Sequence, residues 1–376
     1  MSIAGVQNGR TTELSRGGEA DSLRKPERRA NIRWQSQRWH MPFALWVIVI
    51  LAGGLTACNV DPPSATVSID GSSTVYPLSK AMAEAFGKTN PGVKFQIDFS
   101  GTGGGFKKLC AGRVDIVGAS RPINSIEDEE CTAQHIEYIE LPVAFDTLTL
   151  VVNAKNTFAD CLSVNELRRM WEPAAERTVV TWRDIRPSFP TDPLVLFSPG
   201  KDSGTFDYFT LAVVGTEGKS RSDVTMSEDD TVIRRGVADN PSAIGYLGYS
   251  YSQGNRKQLK LVSVDNGQGC VAPSAQTVID ATYEPLSRPL FIYVNAAAAA
   301  RADIAAFTRF YLSPESQPYV ATSGYVPLPP AALAVQTTRF EKEAKGSAFG
   351  GRTVLGMNLN FFNTSEEERL SAQLVQ

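Results

Sequence analysis

From residue 65 onward the sequence predicts an α/β fold, with a mostly parallel sheet covered by helices. Three observations predict it. Short segments with strand-like alternation recur along the chain, as in Ala65–Asp70 and Val93–Phe99. Each is followed by a loop of Ser, Thr and Gly and then by helical spacing. Two longer apolar strands, Val143–Val152 and Pro289–Val294, stand about 140 residues apart with βα units of their own between them.

The elements follow in order. After Ala65–Asp70 comes the loop Gly71-Ser-Ser-Thr-Val75. Pro77 fits a first helical turn, Leu78, Met82, Ala85 and Phe86 form one helical face, and Asn90-Pro91-Gly92 ends it. Strand Val93–Phe99 leads to the loop Ser100-Gly-Thr-Gly-Gly-Gly105 and a short helix through Leu109. A third strand, Val114–Val117, ends in Gly118-Ala-Ser120-Arg121-Pro122. Further on, helical spacing covers 164–171, Leu194–Phe197 reads as a strand, and helices are expected over 205–214 and 228–238. An amphipathic stretch at 302–312 and the turn Tyr325–Pro330 close the pattern. The two long strands are able to run between domains. The expected division is therefore a discontinuous domain I, 65–148 plus 290–376, and a domain II, 149–289. A chain of 376 residues accommodates two such cores.

Residues 1–57 read as a leader. A basic stretch containing Arg28, Arg29, Arg33 and Arg38 precedes the apolar run Phe43–Leu51, too short for a membrane span. The ending Leu55-Thr-Ala-Cys58 resembles the bacterial lipobox. That resemblance implies cleavage before Cys58 and a lipid on it, with 58–64 as linker. Removing the leader takes the Lys/Arg count from 37 to 29 and the Asp/Glu count from 40 to 36, a net charge of −7. Nucleic-acid binding is disfavoured by that balance. Four cysteines follow Cys58, and in an exported chain they suggest two disulfides with three possible pairings. Cys110 and Cys131 are close in sequence within domain I, and Cys161 and Cys270 both fall in domain II. Cys110–Cys131 and Cys161–Cys270 are therefore expected, since any other pairing joins the two domains.

In open α/β sheets ligands bind beyond the carboxyl ends of the strands. Four loops fall there. They supply Ser72, Ser73 and Thr74; Thr102 with Gly103–Gly105; Ser120 and Arg121; and Ser203, Gly204 and Thr205 beside Lys201 and Asp202. Hydroxyls and helix-start amides suit an oxyanion, and Gly lets the backbone approach it. A guanidinium adds two parallel bonds. Any one of these turns is an ordinary cap; the convergence of four carries the reading.

Gly71-Ser-Ser-Thr-Val-Tyr-Pro77, Gly101-Thr-Gly-Gly-Gly105, Asp115–Pro122 and Pro199-Gly-Lys-Asp-Ser-Gly-Thr205 together resemble the phosphate-binding subunit of the bacterial phosphate ABC transporter, in its cyanobacterial form. The likeness covers essentially all of 65–330. It implies a type II periplasmic-binding-protein fold: two α/β domains, joined by two crossover strands, that close on one phosphate. It implies phosphate contacts from Ser73, Thr74, Thr102, Ser120, Arg121, Ser203, Gly204 and Thr205, with Lys201 and Asp202 as additional candidates. It also implies permease subunits as partners and a lipid-anchored monomer on the periplasmic side of a membrane. The sequence departs from the family pattern twice. Arg121 stands where the family has an Asp that accepts the proton of hydrogen phosphate, and Pro199 stands where it has an Arg. Arg121 is then the expected principal cation, and Asp202 the nearest candidate for the missing acid.

An enzyme is the main rival. The chain has only His40 and His135, no G-x-S-x-G and no complete phosphate-binding G-x-x-x-x-G-K-[ST]. Neither a catalytic triad nor a metal or other cofactor is expected. The remaining alternatives are a receptor for another tetrahedral oxyanion (sulfate, molybdate, tungstate) and a phosphate sensor without transport.

Overall fold

The computed structural model describes residues 65–253, 257–356 and 359. The leader, the lipid site at Cys58 and the linker lie outside the described residues. Strands and helices alternate from the start: β1 (Ala65–Gly71), α1 (Tyr76–Thr89), β2 (Val93–Ile97), α2 (Thr102–Cys110), β3 (Ile116–Ala119), α3 (Ser125–Ala133), β4 (Tyr138–Asn153), β5 (Cys161–Ser163) and α4 (Val164–Trp171). Then come α5 (Trp182–Ile185), β6 (Val195–Pro199), α6 (Gly204–Phe209), β7 (Thr225–Ser227), α7 (Asp230–Asp239), β8 (Ala243–Gly248), β9 (Leu259–Asp265), β10 (Cys270–Val271), β11 (Ser287–Asn295) and β12 (Val326–Pro327). Further helices at Ala302–Tyr311 and Pro330–Glu341 complete the C-terminal part.

The sheet runs β2-β1-β3-β11-β4-β8-β6-β7. It is mixed, not mostly parallel as the βα pattern alone suggests. β1 is parallel to β2 and β3, and β6 to β7 and β8. The two long strands are the reason for the difference. β4 and β11 pair antiparallel with each other, β11 runs antiparallel to β3, and β4 to β8 and β9. β4 is shared between two groups of strands. Up to Thr147 it pairs with β11, and from Leu148 onward with β8 and β9. Both β4 and β11 are buried along their whole length, which explains their nearly continuous apolar character.

Separate cores form on either side of that crossing. Val67, Leu78, Met82, Phe86, Ile292 and Phe307 pack on one face of the β1–β3 side, and Phe106, Leu109, Ile123, Phe291 and Tyr293 on the other. Leu150, Leu167, Trp171, Trp182, Phe209 and Tyr246 form the core beside β6 and β8. Cys110 is bonded to Cys131 between α2 and α3, and Cys161 to Cys270 between β5 and β10.

Several boundaries differ from expectation, and two are instructive. The third strand begins at Ile116; Asp115 stays bonded at its edge, its amide donating to the Ser68 carbonyl (3.1 Å) and its carboxylate accepting from the Ser68 amide (2.8 Å) and hydroxyl (2.9 Å). The helix expected over 205–214 is α-helical only to Phe209 and continues as a π-turn, Thr210–Val214. There the Thr210 hydroxyl donates to the carbonyls of Phe206 and Asp207, and Gly215 closes the turn at φ 87°.

Candidate oxyanion site

The four loops meet. Ser72 Oγ donates to Ser120 Oγ (3.0 Å), and Ser120 Oγ lies 3.2 Å from Thr102 Oγ1, which also accepts from the Ser120 amide. Thr74 Oγ1 is 3.0 Å from Thr205 Oγ1, joining the loop after β1 to the loop after β6. Ser72, Ser73, Thr74, Thr102, Ser120, Ser203, Gly204 and Thr205 are all buried. A Cβ on Gly204 would fall 2.6 Å from Thr102 Oγ1 and 2.7 Å from Ser120 Oγ, so the backbone of one loop rests directly on the hydroxyls of two others. Gly101, at φ 81°, does the same against the Asp202 carbonyl, where a Cβ would meet oxygen at 2.4 Å. The Gly103 amide donates to that carbonyl (2.9 Å).

Local sequence explains the placement. The Ser72 carbonyl accepts from the amides of Val75 and Tyr76, folding the first loop into the start of α1. The Ser203 hydroxyl caps α6 by accepting from the Thr205 amide (3.1 Å). The Ser73 carbonyl accepts from Tyr251 Oη (2.8 Å), and its side chain faces Asp230 at the start of α7.

Arg121 is buried in the expected loop, but carboxylates occupy its fork. Nη1 and Nη2 donate to the two oxygens of Glu127 (2.7 and 2.8 Å), Nε to Asp207 (2.7 Å), and Nη1 also to the Pro122 carbonyl. Burial opposes its charge, yet the bonds to Glu127 and Asp207 win and raise its pKa. On the other side of the pair, burial raises Asp207, with Arg121 pulling it back. Glu217, 3.9 Å from Arg121 Nε, is likewise raised by burial and by Asp207. The guanidinium expected to be the principal cation is thus already engaged by two carboxylates. Lys201 and Asp202 are both exposed. The Asp202 carboxylate is held by Lys107 (2.7 Å) at the exposed rim.

Two charged residues at the cluster escape sequence reasoning. Arg288, on β11, donates from Nη2 to Thr205 Oγ1 (2.8 Å) and to Asp146 Oδ2 (3.1 Å), and from Nη1 to the Gly204 carbonyl (3.2 Å). Asp146, on β4, is its direct cross-strand neighbour. Burial raises the Asp146 pKa, and Arg288 opposes that shift. The available signal was a charge inside one long apolar strand and another directly before the second, which is costly unless partnered.

Comparisons with known proteins agree with this architecture. Residues 57–315 match the model of a PBP superfamily domain. Protein SphX from Synechocystis sp. is 46% identical over 314 residues, covering 83% of this chain and 93% of that protein. The phosphate-binding protein PstS of Staphylococcus saprophyticus is 37% identical over 227 residues, 60% of this chain and 69% of that one. Among solved structures, one described as a possible phosphate binding protein from Planctomyces limnophilus has 42% identity and a TM-score of 0.55, covering 75% of this chain and 99% of its own. A candidate phosphate ABC transporter substrate-binding protein from Clostridium perfringens, solved with bound phosphate, has 26% identity and a TM-score of 0.61, covering 70% and 100%. The chain belongs to the PBP superfamily, in the same family as the cyanobacterial SphX proteins and the PstS phosphate-binding proteins.

Proposed function

We propose that this chain is an exported binding protein that captures inorganic phosphate and delivers it to an ABC importer. One observation carries the reading: hydroxyls from four separate loops converge in a buried cluster that joins the β1–β3 side to the β6–β8 side. Such donors suit a small tetrahedral anion stripped of water. The names of the PstS relatives and the phosphate bound in the Clostridium structure favour phosphate among such anions.

In this reading Ser73, Thr74, Thr102, Ser120, Ser203, Gly204 and Thr205 supply the contacts, and Arg121 orders the loop that carries Ser120. The segments 65–148 plus 290–376 and 149–289 act as two domains that close on the anion by bending β4 and β11. The protein works without chemistry on its ligand and without a cofactor. A lipid on Cys58 holds a monomer at the extracytoplasmic face of a membrane, within reach of permease subunits. The lysine-paired rim at Asp202 stays outside the anion shell. Calorimetric titration of the exported chain with phosphate, sulfate, arsenate and molybdate tests the proposal. Tight one-to-one phosphate binding is expected, with arsenate following. Tight binding of sulfate or molybdate in place of phosphate makes it a receptor for another oxyanion.

A further inference from the structure

We infer that Arg288 is the cation of the oxyanion site, held in place by Asp146 at the point where the two crossover strands meet. The inference rests on the phosphate reading and names the charge that reading needs.

The hydroxyl cluster is neutral, and a doubly charged anion buried in it requires a compensating positive charge. Among the described residues, Arg121 and Arg288 are the two fully buried guanidinium groups bonded to the four loops or to the residues beside them. Arg121 meets Glu127 through both terminal nitrogens and Asp207 through Nε, so two carboxylates face one guanidinium. Arg288 is bonded to a single carboxylate, through one nitrogen, and its Nε has no partner. It already touches the cluster at Thr205 Oγ1, the same hydroxyl that meets Thr74 Oγ1 across the loops.

Its surroundings are built to hold it. The side chain is 1% exposed. The Tyr208 ring lies under the guanidinium, with Cζ 5.6 Å from the ring centre, and Tyr208 Oη donates to the Ser287 carbonyl (2.7 Å), tying that ring to the backbone next door. Asp146 stands opposite Arg288 in the β4–β11 ladder, two residues before Leu148, where β4 passes to its new partner β8. Moving Arg288 away would take from the buried Asp146 carboxylate the cation bonded to it. A cation at this crossing touches loop Gly204–Thr205 on one side and stands on strands common to both halves. Anion charge felt at Arg288 is therefore felt at the place where the two halves are joined.

The test is calorimetric titration of the exported chain with phosphate and with sulfate, in wild type, Arg288→Gln, Arg288→Lys and Arg121→Lys, alongside ligand-free unfolding temperatures. Arg288→Gln is expected to weaken phosphate binding by about 100-fold, the scale of a lost charge-assisted bond. Arg288→Lys restores the charge but cannot serve Thr205, Gly204 and Asp146 together, so it is expected to recover part of that loss. Arg121→Lys is expected to cost less than Arg288→Lys. If Arg288 only supports the fold, Lys binds no better than Gln, and that result overturns the inference. Binding by Arg288→Gln within about threefold of wild type overturns it as well. Should Arg288→Gln fail to fold, the ranking of Arg288→Lys against Arg121→Lys decides. Wild type that takes up neither anion removes the phosphate reading and this inference together, whereas wild-type binding with insensitive Arg288 variants removes the inference alone.

Discussion

Gly204 shows at the scale of one residue how the cluster depends on close backbone approach. Its Cα faces two buried hydroxyls, Thr102 Oγ1 and Ser120 Oγ, that come from other loops. Both side chains are short, and both are already engaged with each other, so neither can swing away freely. An added methyl group must push the loops apart. Gly204→Ala is therefore expected to weaken phosphate binding by about 5- to 150-fold, matching the roughly 1–3 kcal/mol cost of overpacking. Ligand-free unfolding should barely change, because each half keeps its own core. Titration calorimetry and a thermal melt check both parts, and a variant that binds normally sinks the idea that this contact persists in the bound form.

Helix α7 illustrates what an element adds. Asp229 caps it by accepting from the Thr231 amide (2.8 Å), and the next residue, Asp230, is buried. Burial pushes the Asp230 carboxyl up to about 7, with Ser73 and Arg288 opposing and Asp146 and Asp229 adding to the rise. Its folded pKa thus lies above the ordinary carboxylate value of 3.8. Between about 4 and about 7 the folded state holds more protons than the unfolded one, so stability falls as pH rises through that window. A shift of about three units corresponds to at most about 4 kcal/mol. Asp230→Asn, uncharged at every pH, is expected to flatten that part of the profile and to be more stable than wild type at pH 8. Urea unfolding at pH 5 and pH 8 measures the difference; equal slopes in both proteins would contradict it. Legibility in the sequence follows the same scale. The hydroxyl loops could be read because each sits between a strand pattern and a helix pattern, and local chemistry is enough to identify such a turn. The partners of Arg121 could not, since Glu127 and Asp207 come from separate helices and nothing local links them. Arg288 and Asp146 were hidden for a related reason. They are charges in apolar strands, 142 residues apart, and only strand pairing makes them neighbours. The mixed sheet was missed likewise, because the direction of β4 and β11 is set by where the chain must return.

At the scale of the whole molecule, the question is which contacts hold the two halves against each other. The disulfides do not: each lies within one half, Cys110–Cys131 on the β1–β3 side and Cys161–Cys270 on the β6–β8 side. The Cys161–Cys270 link, whose ends are 109 positions apart, should stabilise the fold by about 4–5 kcal/mol on the chain-entropy model. Replacing both cysteines with Ala should lower the unfolding midpoint and leave phosphate affinity unchanged. Among the ion pairs that cross between the halves, two differ sharply in setting. Lys107–Asp202 lies at the rim with its side chains 62% and 49% exposed. Arg121–Asp207 is interior, at 3% and 12%. An exposed pair is screened and contributes about 0–1 kcal/mol. Removing one partner of a buried pair leaves charge without its match in a poorly solvated place. Here Glu127 still holds Arg121, so the loss is tempered. If closure is governed from the interior, Asp207→Ala should weaken phosphate binding by roughly 10-fold and reduce the ligand-driven decrease in radius of gyration. Asp202→Ala should change affinity by no more than about fivefold, and raising the salt concentration should erase even that. Calorimetry paired with small-angle scattering reads both quantities on the same samples. Should Asp202→Ala prove the more damaging of the two, the rim and not the buried Arg121 network holds the halves together.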